Sequence, residues 1–139
     1  MSTTNQYGQQ ADRTVIRRIA ALMIVEAATL AVASALHLSG SVQGRSAPFD
    51  PDRAGAAEAI IGAVLVAAAF VMFRAPAWAR TVGIAATGLA IAGFLLGLSF
   101  TARGGHLPDV AYHLTILPVL IGGLIVLLRT GSKASTSPR

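Results

Sequence analysis

Polar and apolar positions divide the chain into four long apolar runs joined by short polar segments. The first run, Ile19 to Leu38, is interrupted by a single charge, Glu26. Ser39-Gly40-Ser41 closes it, and a loop through Arg53 follows, carrying Pro48, Asp50, Pro51 and Asp52. The second run, Ala54 to Phe73, holds Glu58 near its start. A turn from Arg74 to Arg80 contains Trp78, a residue suited to a membrane interface. The third run, Thr81 to Thr101, has no charge and carries Gly83, Gly88, Gly93 and Gly97. The fourth, Val110 to Leu128, encloses Pro118. Crossing a hydrocarbon core of about 30 Å takes about 20 apolar residues, and each run is close to that length. The pattern predicts an all-α protein, a four-helix transmembrane bundle of up-down topology, with helices near residues 15–39, 54–74, 80–102 and 108–129.

The flanks differ. Residues 1–12 are rich in Gln, Thr and Ser without an apolar period and read as a disordered N-terminal tail. Residues 131–139 read as a disordered C-terminal tail, leaving 13–130 as the transmembrane domain. The first run is too long for a signal peptide and lacks a clear small-residue cleavage site.

Composition strengthens the membrane reading. The 139 residues suffice for one domain, 54% are hydrophobic and 12% charged, and mean hydropathy is +0.65. Soluble domains carry about 25% charged residues. Alanine and glycine are abundant, as suits helices whose backbones approach closely in lipid. The absence of cysteine excludes disulfides, thiolate metal sites and cysteine nucleophiles. The net charge of +5 does not mark a nucleic-acid binder, because the basic residues stand at the ends of the apolar runs. Arg13, Arg17, Arg18, Arg74, Arg80, Arg129, Lys133 and Arg139, eight in all, fall on the side of the termini and second turn. Arg45, Arg53 and Arg103, three, fall on the other side. That asymmetry predicts a multi-pass protein of the cell membrane with both termini cytoplasmic. The expected partners are the lipid bilayer and a lipophilic small molecule, with either a second copy or another membrane subunit as a further option.

Candidate chemistry gathers on the side opposite the termini. The segment from Arg103 to His113 joins the last two runs and holds His106, Asp109 and His113. If the helix starts at Pro108, Asp109 and His113 lie four apart on one face. His37 ends the first run and Glu58 opens the second, so three helices bring ionisable groups to a similar depth. Such groups in lipid normally face the bundle interior or water. Glu26 lies eleven residues before His37, on the same face and roughly 16 Å deeper. The expected arrangement is a polar cup open to the outside, with one carboxylate below it.

Each residue also has an ordinary structural role open to it. His37 and His106 are near enough to the interface to face water. Asp109 suits a helix N-terminus electrostatically. His113 can hydrogen-bond a neighbouring helix, and Glu58 can pair with Arg53 or Arg103. Glu26 is hardest to explain that way. Gly93 and Gly97 fit helix packing, and no glycine pattern follows a strand to make a nucleotide loop.

From Ala33 to Leu98 the chain resembles the DoxX-like group of small four-helix membrane proteins. The likeness rests on Ala35-Leu36-His37-Leu38-Ser39-Gly40, on Gly55-Ala56-Ala57-Glu58-Ala59-Ile60-Ile61-Gly62, and on Arg74 and Arg80 before a small-residue third helix. The resemblance covers about half the chain and implies architecture more than activity, since the group includes quinone-oxidoreductase-associated subunits. Asp109, His113 and Glu26 match no part of its pattern.

Three functions compete. In the first, His37, Glu58 and His113, completed or oriented by His106 or Asp109, bind a metal (zinc, iron or copper(II)) or haem. In the second, Glu58 or Asp109 works with a histidine as the acid–base pair of an isomerase, cyclase or hydrolase acting on a lipophilic molecule. In the third, the protein is an accessory or proton-coupled subunit in which Glu26 titrates.

Overall fold

The computed structural model describes the backbone of residues 3–130 and the side chains of residues 6–130. It contains four helices and, among the described residues, no strand: α1 (Thr3–Leu38), α2 (Pro51–Arg74), α3 (Pro76–Gly104) and α4 (Leu107–Arg129). All four are long and apolar enough to cross a membrane. The four-helix bundle expected from the apolar runs is therefore the observed fold, compatible with a multi-pass membrane protein.

The helix ends follow local chemistry. Asp50 caps α2, its carboxylate accepting from the backbone N–H groups of Asp52 and Arg53 at 3.1 and 3.2 Å. Pro51, Pro76 and Pro108 all stand in first turns, where a missing N–H costs nothing. Pro118 sits inside α4, which continues through it to Arg129. At the other end of that helix Arg80 reaches across from α3. Its Nε and Nη2 donate to the carbonyls of Leu127 and Leu128, both at 3.0 Å, and satisfy two acceptors that a helix end leaves open.

One expectation is corrected. The polar segment up to Asp12 is not a separate tail where it is described, because α1 starts at Thr3. Residues 6–14 are exposed on all sides of that extension. Adding turns to an existing helix avoids the nucleation cost, so Gln, Ala and Arg suffice without an apolar face. Residues 131–139 lie outside the described residues, as do Met1 and Ser2.

The helices pack in chain order, α1 along α2, α2 along α3 and α3 along α4, while α1 and α4 touch only sparsely. Met23, Leu30, Leu65, Leu120 and Leu127 fill the centre. Small residues set the spacing. Gly62 lets α2 lie against the Ala27 carbonyl and Leu30, and Gly83 accommodates Met72 and Leu127. The outer faces carry Val25, Val32, Ile60, Phe70 and Leu96, apolar side chains suited to lipid. The α1–α2 and α3–α4 connections share one end of the bundle, the loop end. The α2–α3 turn and the outer ends of α1 and α4 share the other.

Candidate functional site

Just below the loop end, three helices bring their ionisable side chains together. His37, on the last turn of α1, is 3% exposed, and Glu58, two turns into α2, is 7% exposed. The His37 Nδ1 and the Glu58 Oε2 are 2.8 Å apart, a hydrogen bond in which the imidazole N–H donates to the carboxylate. Asp109 arrives from the first turn of α4, its Oδ1 3.7 Å from the His37 Nε2. That separation is an ion-pair distance and too long for a hydrogen bond. The His37 Nε2 and the Asp109 Oδ2 are both buried without a hydrogen-bond partner. His37, Glu58 and Asp109 thus converge, and Glu58 pairs with neither Arg53 nor Arg103. Arg53 pairs instead with Asp50 at 3.2 Å, and Arg103 donates to the Ser99 carbonyl of its own helix.

The close approach of α1 and α2 that makes this pair possible has a visible cause. Ser34 donates its hydroxyl to the Gly55 carbonyl at 2.7 Å. A Cβ on Gly55 would press on Leu38 Cγ at 2.8 Å and on His37 Cβ at 3.1 Å. Only glycine lets α2 begin against this turn of α1.

His113 shares the walls of the site but not the cluster's bonds. Its Nδ1 donates to the backbone carbonyl of Asp109, one turn back, at 2.8 Å. Its Nε2 seats on α3 at Gly97, where an added Cβ would lie 2.7 Å away. The ring stacks obliquely on Phe94, centroids 5.2 Å apart. His106 is the half-buried N-cap residue of α4, makes no capping bond with its side chain and lines neither of the two cavities beside the cluster. The set His37, Glu58, His113 and His106 is therefore not assembled as metal ligands. One histidine is tied to the carboxylate, one is turned onto its own helix, and one stands apart. Among the described residues, no group of three or more His, Asp or Glu side chains is placed to hold a metal ion.

The two cavities share His37, Glu58, Tyr112 and His113 as walls. One, about 280 Å³, lies toward α2 and α3 beneath Phe49 and is otherwise bounded largely by apolar side chains. The other, about 380 Å³, lies between α1 and α4, with the exposed Val32 and Leu36 at its edge. The cup is not simply open to the aqueous side, as the sequence suggested. The α1–α2 loop folds over it. The N–H groups of Arg45 and Ser46 donate to the Gly104 carbonyl at 2.7 and 3.2 Å, and the Arg45 Nε donates to the Gly105 carbonyl at 2.8 Å. Phe49, buried on this loop, lies over the His37 ring with centroids 5.7 Å apart. Gly104 must be glycine here, since a Cβ would collide with the Ser46 carbonyl oxygen.

Two residues of the site escape a reading based on charge. Tyr112 packs on Phe94, centroids 5.8 Å apart, and its hydroxyl is 2.9 Å from the Thr29 Oγ1. Thr29 gives its own proton to the Glu26 carbonyl at 2.8 Å, so Tyr112 is the donor in their bond. The signal was present in the sequence: Thr29 is eight residues before His37, within reach of its face, and Tyr112 adjoins His113. Glu26 itself is 4% exposed, and its Oε1 is buried with no partner. It lies apart from the His37 cluster and lines neither cavity.

No family model, no curated protein and no solved structure matches the chain, so the DoxX-like resemblance rests on its short motifs alone.

Proposed function

We propose that His37, oriented by Glu58 and faced by Asp109, is the acid–base centre of an enzyme that acts on a lipophilic small molecule in an isomerisation, cyclisation or hydration. The observation that carries this reading is the state of the His37 ring. Its Nδ1 is bonded to a carboxylate, and its Nε2 is buried, unpartnered and next to two apolar cavities. A base held by a third group is the arrangement that acid–base catalysis needs. Glu58 fixes the tautomer that leaves Nε2 free to take a proton from a substrate carbon or from water. Once His37 is charged, the same carboxylate stabilises the imidazolium. Asp109, across from Nε2, can receive that proton or return it at a second atom of the substrate. The apolar walls and the Phe49 cover exclude bulk water, which strengthens every charge interaction inside.

The metal and haem alternatives, with zinc, iron or copper(II), lack an assembled ligand set among the described residues. The accessory, proton-coupled alternative has one observation in its favour, the unpartnered Glu26 carboxyl away from the cluster. The arginine asymmetry supports placing the loop end outside the cell and the termini in the cytoplasm of a cell-membrane protein.

The test is an untargeted comparison of small lipophilic molecules, by mass spectrometry, after incubation with membranes holding the parent protein, His37→Gln or Glu58→Gln. The expected result is a product formed by the parent, abolished in His37→Gln and reduced by roughly two orders of magnitude or more in Glu58→Gln, the scale of acid–base contributions. Identical profiles for the parent and His37→Gln would end the enzyme reading.

A further inference from the structure

The cluster is short of positive charge. It brings together two carboxylates, Glu58 and Asp109, and one imidazole, His37. Even as an imidazolium, His37 balances only one of them. An unbalanced charge between membrane helices costs about 2.5 kcal/mol or more, which either a proton on one carboxyl or a bound cation relieves.

The other charged groups around the site do not supply the compensation. Arg53 is exposed and pairs with Asp50. Arg45 is committed to the Gly105 carbonyl. Arg103 donates to Ser99 and lies over the Phe100 ring, 5.6 Å from its centroid. On α4, His113 gives its Nδ1 proton to the Asp109 backbone, not to a carboxylate. The ion pairs of the described residues include no arginine on either Glu58 or Asp109.

The site has a shape as well as a sign. The Asp109 Oδ2 is a buried acceptor without a donor, and the His37 Nε2 beside it is unpartnered too. Asp109 lines the cavity between α1 and α4, where Tyr112 is the aromatic wall, while Phe49, Phe94 and Phe100 line the neighbouring cavity together with Arg53. The Tyr112 ring can face a cation held at Asp109, a contact that strengthens where water is excluded. The cavity between α1 and α4 has Val32 and Leu36 at its edge, so an apolar body can reach the cluster sideways from lipid.

We propose that the site takes a lipophilic molecule whose head carries one positive charge, an ammonium group on an apolar body, with its N–H on the Asp109 Oδ2. This rests on the cluster being the ligand site, as the proposed function holds, and adds the charge of what occupies it. With both carboxylates ionised, a neutral head leaves the second one uncompensated and an anionic head adds repulsion.

The experiment uses the full chain in nanodiscs of zwitterionic lipid and isothermal titration calorimetry at neutral pH, with empty nanodiscs subtracted. The probes share one tail and differ in head charge: decylammonium, decanol and decanoate. The expected result is saturable binding of decylammonium at one site per chain, weaker by roughly tenfold or more for decanol, with decanoate undetected. Asp109→Asn should weaken decylammonium by roughly tenfold or more, the scale of a lost charge-assisted hydrogen bond, and leave decanol unchanged. Decanol or decanoate binding as tightly as decylammonium, no saturable binding by any probe, or an unaltered decylammonium affinity in Asp109→Asn would each overturn the proposal. The probe series on the parent protein decides the matter even if that variant fails to fold. The product comparison with His37→Gln is separate: a His37-dependent product with no preference for the cation would remove this inference and leave the acid–base site standing.

Discussion

A carboxyl buried in a bundle without a partner is a cost the fold bears for some other reason, and Glu26 is such a group. Its unpartnered Oε1 contributes no bond that stabilises the structure. Replacing an unsatisfied buried polar group by one of similar size is neutral or stabilising. Glu26→Gln and Glu26→Met should therefore melt, in detergent, within about 1 kcal/mol of the parent or above it. A loss of about 3 kcal/mol or more, the scale of a broken buried pair, would show instead that the carboxylate fastens the fold. At this scale the sequence grouped His37 and Glu58 with His113, and put Asp109 on the His113 face, because an ionisable residue in an apolar run has few places to go except inward. It did not show the orientation of His113. A histidine four residues past a helical carbonyl can commit a ring nitrogen to its own helix, and that local choice leaves no trace in spacing. Tyr112 and Thr29 were hidden for a related reason: neither residue is costly in an apolar helix, so neither draws attention until both are seen to bond.

At the scale of elements, the apolar runs marked the helices and their order, while the ends moved by several residues. α3 begins at Pro76 rather than near residue 80, because a first-turn proline starts a helix as readily as it stops one. What spacing could not reveal was bonding between elements remote in sequence, such as the α1–α2 loop lying on Gly104 and Gly105. Arg80 is another case, since its place in the sequence speaks only of topology. It ties the start of α3 to the end of α4 through the Leu127 and Leu128 carbonyls. One of those bonds is exposed, so their combined worth is modest. Arg80→Ala should lower stability by about 1–2 kcal/mol, and Arg80→Lys should recover part of the loss, as thermal melts of the purified variants would show. Equal melting temperatures for parent and alanine variant would mean that water serves those carbonyls as well as the guanidinium does.

Across the whole molecule, the distribution of arginines makes a claim about sidedness that the cysteine-free sequence renders easy to test. Ser46→Cys, on the loop over the site, should react with an impermeant maleimide added to intact cells. Ala77→Cys, in the exposed first turn of α3, should react only after permeabilisation. The reverse pattern would put the site on the cytoplasmic face. A second consequence comes from the sparse contact between α1 and α4. The bundle is a strip of three adjacent helix pairs whose two long edges meet at a seam. One side-chain hydrogen bond crosses that seam, Thr29 to Tyr112, and nearer the loop end His37 faces Asp109 across it at 3.7 Å without a bond. That unbonded pair is made of the residues assigned to chemistry and to ligand charge. A molecule arriving through the seam at that level breaks no hydrogen bond, and the side chains it passes between are the ones it engages, so admission to the site and engagement of its reactive groups are one event.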